Sequence, residues 1–142
     1  MRVVVDTNVF ISGIFWNGKS SKIIKLVESN LIELIISEEI IQEISKVLNY
    51  EDIKRKVKDK NLEMMYSLEK ILSFSILVFP TEILTIITED LSDNRILVCA
   101  VAGDVDCIIS QDIHLLKLKE FRKIRIMTPE EFLKFNPPKY SI

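Results

Sequence analysis

Apolar residues along this chain fall into short solid runs alternating with segments of helical spacing. The first run, Val3-Val4-Val5, is β-branched throughout, and such a run reads as a strand buried on both faces. Asp6-Thr7-Asn8 breaks it where that strand ends. A helix is predicted from Ser20-Ser21 through Ser29, with Ile23, Ile24, Leu26 and Val27 on its apolar side. Leu34-Ile35-Ile36 predicts a second strand. Ser37 is a good N-cap for a helix in which Ile40, Ile41, Ile44, Val47 and Leu48 recur at helical spacing. A basic segment then leads to a helix over Leu62 to Leu72. Ile76 to Phe79 reads as a strand halted by Pro80, and Ile83 to Ile87 reads equally as strand or irregular chain. Ser92 or Asp93 is expected to cap a helix that runs to about Ala102 and is closed by Gly103. Cys107-Ile108-Ile109 predicts a buried strand ending at Ser110-Gln111-Asp112. A short helix bearing Leu115 and Leu116 and a last strand, Lys123 to Met127, follow. Thr128-Pro129-Glu130-Glu131 is a capping box with proline at the first helical position, opening a helix to Phe135.

Short strands alternating with helices imply an α/β fold with a parallel sheet covered on both faces. No internal repeat or domain boundary interrupts the pattern. We therefore expect one domain over residues 1–136 and a loose tail over 137–142. The bulk numbers agree: 142 residues suit one domain, and 48% hydrophobic residues allow a sizeable core. No apolar run reaches membrane-spanning length, and Asp6 and Asn8 interrupt the N-terminal run too early for a signal peptide. No membrane association is expected. Cys99 and Cys107 are the only cysteines and form no C-x-x-C pair, which suggests buried free thiols in a reducing cytoplasm. With 19 Lys and Arg against 21 Asp and Glu, the net charge is −2. That neither announces nor excludes a nucleic-acid partner, because local patches decide.

Several chemistries can be set aside. His114 is the single histidine, so a two-histidine acid–base ribonuclease is impossible and zinc clusters lack ligands. There is no G-x-S-x-G elbow and no glycine-rich phosphate loop; the three glycines are Gly13, Gly18 and Gly103. What remains is carboxylates. Collected at the carboxyl ends of strands, where α/β sheets bind ligands, they would hold hard cations such as Mg²⁺ or Mn²⁺. Asp6 and Asp112 each follow a predicted strand, and they share one sheet edge if those strands are neighbours. Asn8 either ligates, orients Asp6 through its amide, or merely serves a turn. Ser110 is a nearby hydrogen-bond donor or an ordinary turn hydroxyl. Asp93 suits helix capping, but Ser92 could cap equally well and free Asp93 to face a cleft. Asp90 reads as a solvated loop residue, with an outer-shell role as the lesser alternative. Glu43 lies at the margin of its helix's apolar stripe; the alternative is an exposed pair with Lys46, common and weak.

Taken together these stretches resemble the PIN-domain family. The resemblance rests on V-V-V-D-T-N-V-F-I-S at Val3 to Ser12, an acidic residue in the second main helix at Glu43, S-D-N-R-I-L at Ser92 to Leu97, and D-C-I-I-S-Q-D at Asp106 to Asp112. It spans nearly the whole chain, and it is strongest toward prokaryotic members classed as toxins of toxin–antitoxin pairs (VapC-like). The resemblance implies a three-layer α/β/α sandwich with a mostly parallel sheet. It also implies a metal-dependent endoribonuclease acting on single-stranded RNA, with Asp6, Glu43, Asp93 and Asp112 as catalytic and metal-binding acids supported by Asn8 and Ser110. An antitoxin protein and a homodimer are the partners it suggests. Many relatives carry T-G-D-x-D where this chain has Ser110-Gln111-Asp112-Ile113-His114, so His114 reads as a surface residue rather than a catalyst. Substrate phosphates would fall to a basic run, Lys54, Arg55 and Lys56 with Lys58 and Lys60, or to a second from Lys117 to Arg125; each reads equally as a solvated face. The competing readings are a catalytically silent RNA- or partner-binding module of the same shape and a haloacid-dehalogenase-like phosphatase. The phosphatase would want a second aspartate where Asn8 stands. Apolar helical residues such as Ile23 to Val27 or Met64-Met65 would serve a dimer seam or simply the core.

Overall fold

The fold was analysed in a computed structural model that describes residues 1–57 and 61–135. β1 (Arg2–Val5) leads into α1 (Thr7–Phe15) and α2 (Lys19–Glu28), then β2 (Glu33–Ser37). Three helices follow, α3 (Glu38–Leu48), α4 (Glu51–Val57) and α5 (Asn61–Phe74), before β3 (Ile76–Val78). A 3₁₀ turn at Leu91–Asp93 opens α6 (Asn94–Ala102), which is followed by β4 (Cys107–Ile109), α7 (Ile113–Leu116), β5 (Glu120–Phe121), β6 (Ile124–Met127) and α8 (Pro129–Phe135).

The six strands form one sheet in the order β3-β2-β1-β4-β6-β5. All pairs are parallel except β5 with β6. From β1 the chain steps outward to β2 and β3, then returns to the other side of β1 for β4 and β6. Right-handed crossovers therefore place the helices of the two excursions on opposite faces, giving the three-layer α/β/α architecture expected. α1, α2 and α5 pack on one another, while α6 lies across β1, β2 and β4. The reversal of direction falls between β1 and β4, the crevice where an open α/β sheet binds its ligands.

The solid apolar runs are central strands. Val3, Val4, Ile35, Ile108 and Ile109 have no exposed surface, and Val3 stands opposite both Leu34 and Cys107. Cys99 and Cys107 are buried and unbridged. Gly13 permits the close approach of α1 to α2: a Cβ there would lie 2.5 Å from Ile24 Cγ1 and 2.7 Å from the Ser20 carbonyl oxygen.

Several expectations need correcting. α1 was not anticipated, because seven of its residues from Thr7 to Phe15 are buried. A helix buried nearly all round shows no apolar stripe. The basic segment, which was assigned no secondary structure, begins inside helix α4, and β5 is a two-residue antiparallel edge too short to announce itself. Of the readings left open, Ile83 to Ile87 is irregular rather than strand, and Ile23 to Val27 take the core reading rather than the dimer seam, facing inward except for the exposed Lys25. The side chains of Met64, Met65 and Lys56, the residues Lys58 and Lys60, and the tail over 137–142 lie outside the described residues.

Candidate active site

Four chain segments deliver carboxylates to the crevice between β1 and β4, two by backbone bonding at strand ends and two through side-chain bonds. The Asp6 amide donates to the Ile109 carbonyl at 2.9 Å, which extends the β1–β4 ladder by one residue and fixes Asp6 at its end. The Ser110 amide donates to the Met127 carbonyl at 2.9 Å, anchoring the end of β4 to β6. Between them, the buried Ser110 hydroxyl donates to Asp6 Oδ2 at 2.7 Å and accepts from the Asp112 amide at 2.9 Å. One side chain thus sets the positions of two acids. Asp112 in turn caps α7 through Oδ1, which accepts from the His114 amide at 2.8 Å. The capping reading and the site reading both hold there.

The Leu91–Asp93 turn is assembled differently from expectation. Neither Ser92 nor Asp93 caps α6 through its side chain. Asp90 caps the turn instead, with Oδ1 accepting from the Ser92 amide at 3.0 Å and the Ser92 hydroxyl at 2.6 Å. The buried Asn94 amide donates to the Ile87 carbonyl at 2.9 Å and accepts from the Ile87 amide at 3.0 Å, which ties the preceding segment to α6. With those jobs done by its neighbours, the Asp93 carboxylate caps nothing and its one side-chain contact is with Asp112. Asp93 is 7% exposed, and its Oδ2 is buried with no hydrogen-bond partner among the described residues. Carboxylate oxygens of Asp90, Asp93 and Asp112 lie within 4.8 Å of one another.

Glu43 reaches the crevice from α3. It is half-buried, and its Oε2 accepts from the Thr7 hydroxyl at 3.2 Å rather than engaging Lys46. Asn8 is exposed on the first turn of α1. Lys54 and Arg55 are exposed on α4, and Arg55 pairs with Asp52 of the same helix at 3.4 Å. His114 is half-buried, and its backbone amide serves Asp112. Sequence reasoning passed over Thr7 and Asn94 although both sit inside quoted motifs. Asp90 is exposed as read, and it also stands one turn from Asp93.

The electrostatics record the crowding. Burial first, then repulsion from Asp112, Asp90 and Asp6, push the Asp93 carboxyl up to about 7. Asp6 is also raised, chiefly by burial, with Glu43 and Asp112 adding to it and the Ser110 hydrogen bond opposing it. Asp90 is held below the usual range by its bonds to Ser92. A set of oxygen donors only, one of them buried and unpaired among like charges, fits a hard divalent cation. The same carboxylates are poorly explained as structural groups, because a buried uncompensated charge opposes folding.

An α/β sandwich with acids converging at its topological switch point defines the class. The PIN domain family profile matches residues 2–114, and the chain belongs to that family. That assignment displaces the phosphatase alternative. Among solved structures, the fold is similar to a chain of VapBC2 from Rickettsia felis bound to a DNA fragment from their promoter. The likeness has a TM-score of 0.55 and 16% identity, covering 89% of this chain and 97% of that one. Among curated proteins, no match is found. Among the described residues no helix is long and apolar enough to cross a membrane.

Proposed function

We propose that this chain is an endoribonuclease dependent on Mg²⁺ or Mn²⁺, that it cleaves single-stranded RNA in the cytoplasm, and that it is the toxin of a toxin–antitoxin pair. The observation that carries the reading is the buried, unpartnered Asp93 oxygen inside a cluster of acids that repel one another. Asp6, Glu43, Asp93 and Asp112 would hold the cation, with Asp90 at the rim. Bound there, a divalent ion would supply the positive charge and Lewis acidity that phosphodiester hydrolysis needs. The protein's own contribution is positional. Ser110 fixes Asp6 and Asp112 relative to each other, Thr7 orients Glu43, and the Asp90–Ser92 turn aims Asp93 inward. Four ionised acids alone would repel a phosphodiester, so substrate would enter only a cation-loaded cleft. Family membership and the likeness to a VapBC2 assembly support the toxin assignment and pairing with an antitoxin. Buried thiols suit a reducing compartment. Lys54, Arg55 and Lys56 remain candidates for phosphate contacts.

The test is cleavage of labelled single-stranded RNA with Mg²⁺, with Mn²⁺ and with EDTA, comparing wild type with Asp6→Asn. Metal-dependent cleavage that disappears in the variant is expected. Equal cleavage by both proteins would refute the placement of the site. A folded wild type that binds cation and RNA without cutting would favour the silent binding module.

A further inference from the structure

A second concavity opens beside the acids, where Gln111 between Ser110 and Asp112 forms part of its lining. It has a volume of about 400 Å³ and is lined by Ser12, Asn17, Lys19, Gln111, Thr128 and Glu130, among others. These come from α1, the α1–α2 connection, the residue between Ser110 and Asp112, and the β6–α8 junction. Gln111 and Thr128 follow the carboxyl ends of β4 and β6, and α1 and the start of α2 supply the rest. Its volume falls among those of small-molecule sites, about 300–1,000 Å³. Resting on the nuclease reading, we propose that this pocket receives one unpaired base of the RNA substrate, next to the scissile phosphodiester.

The charges in the pocket argue for a neutral ligand. Lys19 Nζ lies 3.9 Å from Glu130 Oε1, so the one cation in the lining is opposed by its neighbour, and Glu130 would repel a phosphate. The Thr128 hydroxyl is occupied by the Glu131 amide at 3.1 Å. Ser12, Asn17 and Gln111 remain, and none holds another described side chain. A hydroxyl and two amides each donate and accept, which matches the edge of a nucleobase. Sequence-specific RNA recognition takes unstacked bases and reads them along such edges. Placement supplies the second argument. Gln111 is flanked by Ser110 and Asp112, so a base read by Gln111 carries its phosphate toward the acidic cleft. The pocket therefore gives the nuclease a base preference at a position bordering the cut.

Two measurements test this on wild type, Asn17→Ala and Ser12→Ala. Fluorescence anisotropy of labelled short RNAs with non-hydrolysable linkages, in Mn²⁺, reads binding without cleavage, and sequencing of products from a randomised RNA reads preference during cleavage with Mn²⁺. Wild type is expected to favour one base at one position by about tenfold, falling below about threefold in Asn17→Ala, as loss of a bidentate amide contact predicts. The Mn²⁺-induced rise in Tm should be unchanged in both variants. Full base preference in both variants overturns the proposal. Wild type that cleaves without base preference overturns it too, while leaving the nuclease intact. Base-selective binding that Asn17→Ala abolishes, in a protein that never cleaves, keeps the pocket and overturns the nuclease reading.

Discussion

Replacing Asp93 with Asn should stabilise the cation-free protein at the expense of its proposed function. The Asp93 carboxyl rises from 3.8 to about 7 on folding, a rise of about three pH units. Each unit is about 1.36 kcal/mol, so ionised Asp93 opposes folding by at most about 4 kcal/mol. Counter-ions entering the open cleft screen part of this, and we expect Asp93→Asn to gain about 2 kcal/mol at pH 8. The direction with pH follows from the raised value. The folded state binds the proton more tightly than the unfolded state, so wild type loses stability as pH climbs from about 4 to about 7 and levels off above. Asn resembles the protonated acid in shape, so the two proteins should converge near pH 4. Urea unfolding in EDTA at pH 4, 6 and 8 measures this as a shift in midpoint at constant slope. Adding Mn²⁺ should reverse the order at pH 8. A ligand at a hundredfold excess over its Kd stabilises the folded state by about 2.7 kcal/mol, and the variant should respond weakly. A variant less stable than wild type at pH 8 in EDTA, or a difference independent of pH, would refute the account of Asp93 as a strained acid.

Three further substitutions probe the frame around the acids. Ser110→Ala removes a buried hydroxyl from both Asp6 and Asp112; it should lower stability by about 1–3 kcal/mol in urea titrations and weaken Mn²⁺ binding, and an unchanged midpoint would contradict it. Thr7→Val keeps the shape but releases Glu43; cation affinity read by calorimetry should fall about 10- to 100-fold with little change in Tm. Gly13→Ala improves helix propensity by about 1 kcal/mol, but its Cβ would meet Ile24 and the Ser20 carbonyl. Overpacking of about 1–3 kcal/mol should win, and a higher Tm would show that α1 and α2 can part cheaply.

The parts of the fold legible in the sequence were those whose burial is simple. β1, β2 and β4 are solid apolar runs because both faces of a central parallel strand are covered. α3 and α8 carry caps that the structure uses: Ser37 accepts from the Ile40 amide, and Thr128 and Glu131 form the reciprocal box. α1 was hidden because its apolar residues surround the helix, and α4 because its charged residues suit a linker as well as a short exposed helix. At the site, strand ends pointed to Asp6 and Asp112 without further help. Glu43 gained its meaning only from Thr7, 36 positions away in sequence, a pairing no local pattern encodes. Asp90 was read as solvated, with an outer-shell role as the lesser alternative, and the structure leaves room for both. It is open to solvent and still faces Asp93 and Asp112.

What separates a functional aspartate from a capping one here is where its oxygens go. Asp6, Asp93 and Asp112 all stand at helix N-caps, a position that favours aspartate for structural reasons alone. Only Asp112 uses its carboxylate for that purpose. Asp6 and Asp93 make no side-chain cap, so capping does not explain them. The helix N-termini still relieve their charge, by about 0.3–1 kcal/mol each. That is small beside the roughly 4 kcal/mol by which burial and repulsion oppose ionised Asp93. The imbalance is removed by a proton or by a cation. At neutral pH a proton suffices for one acid near 7, but Asp6, Glu43 and Asp112 stay crowded around it. A divalent ion neutralises several at once, so on the proposed reading the pH-dependent instability of the cation-free protein and its relief by Mn²⁺ should have the same origin.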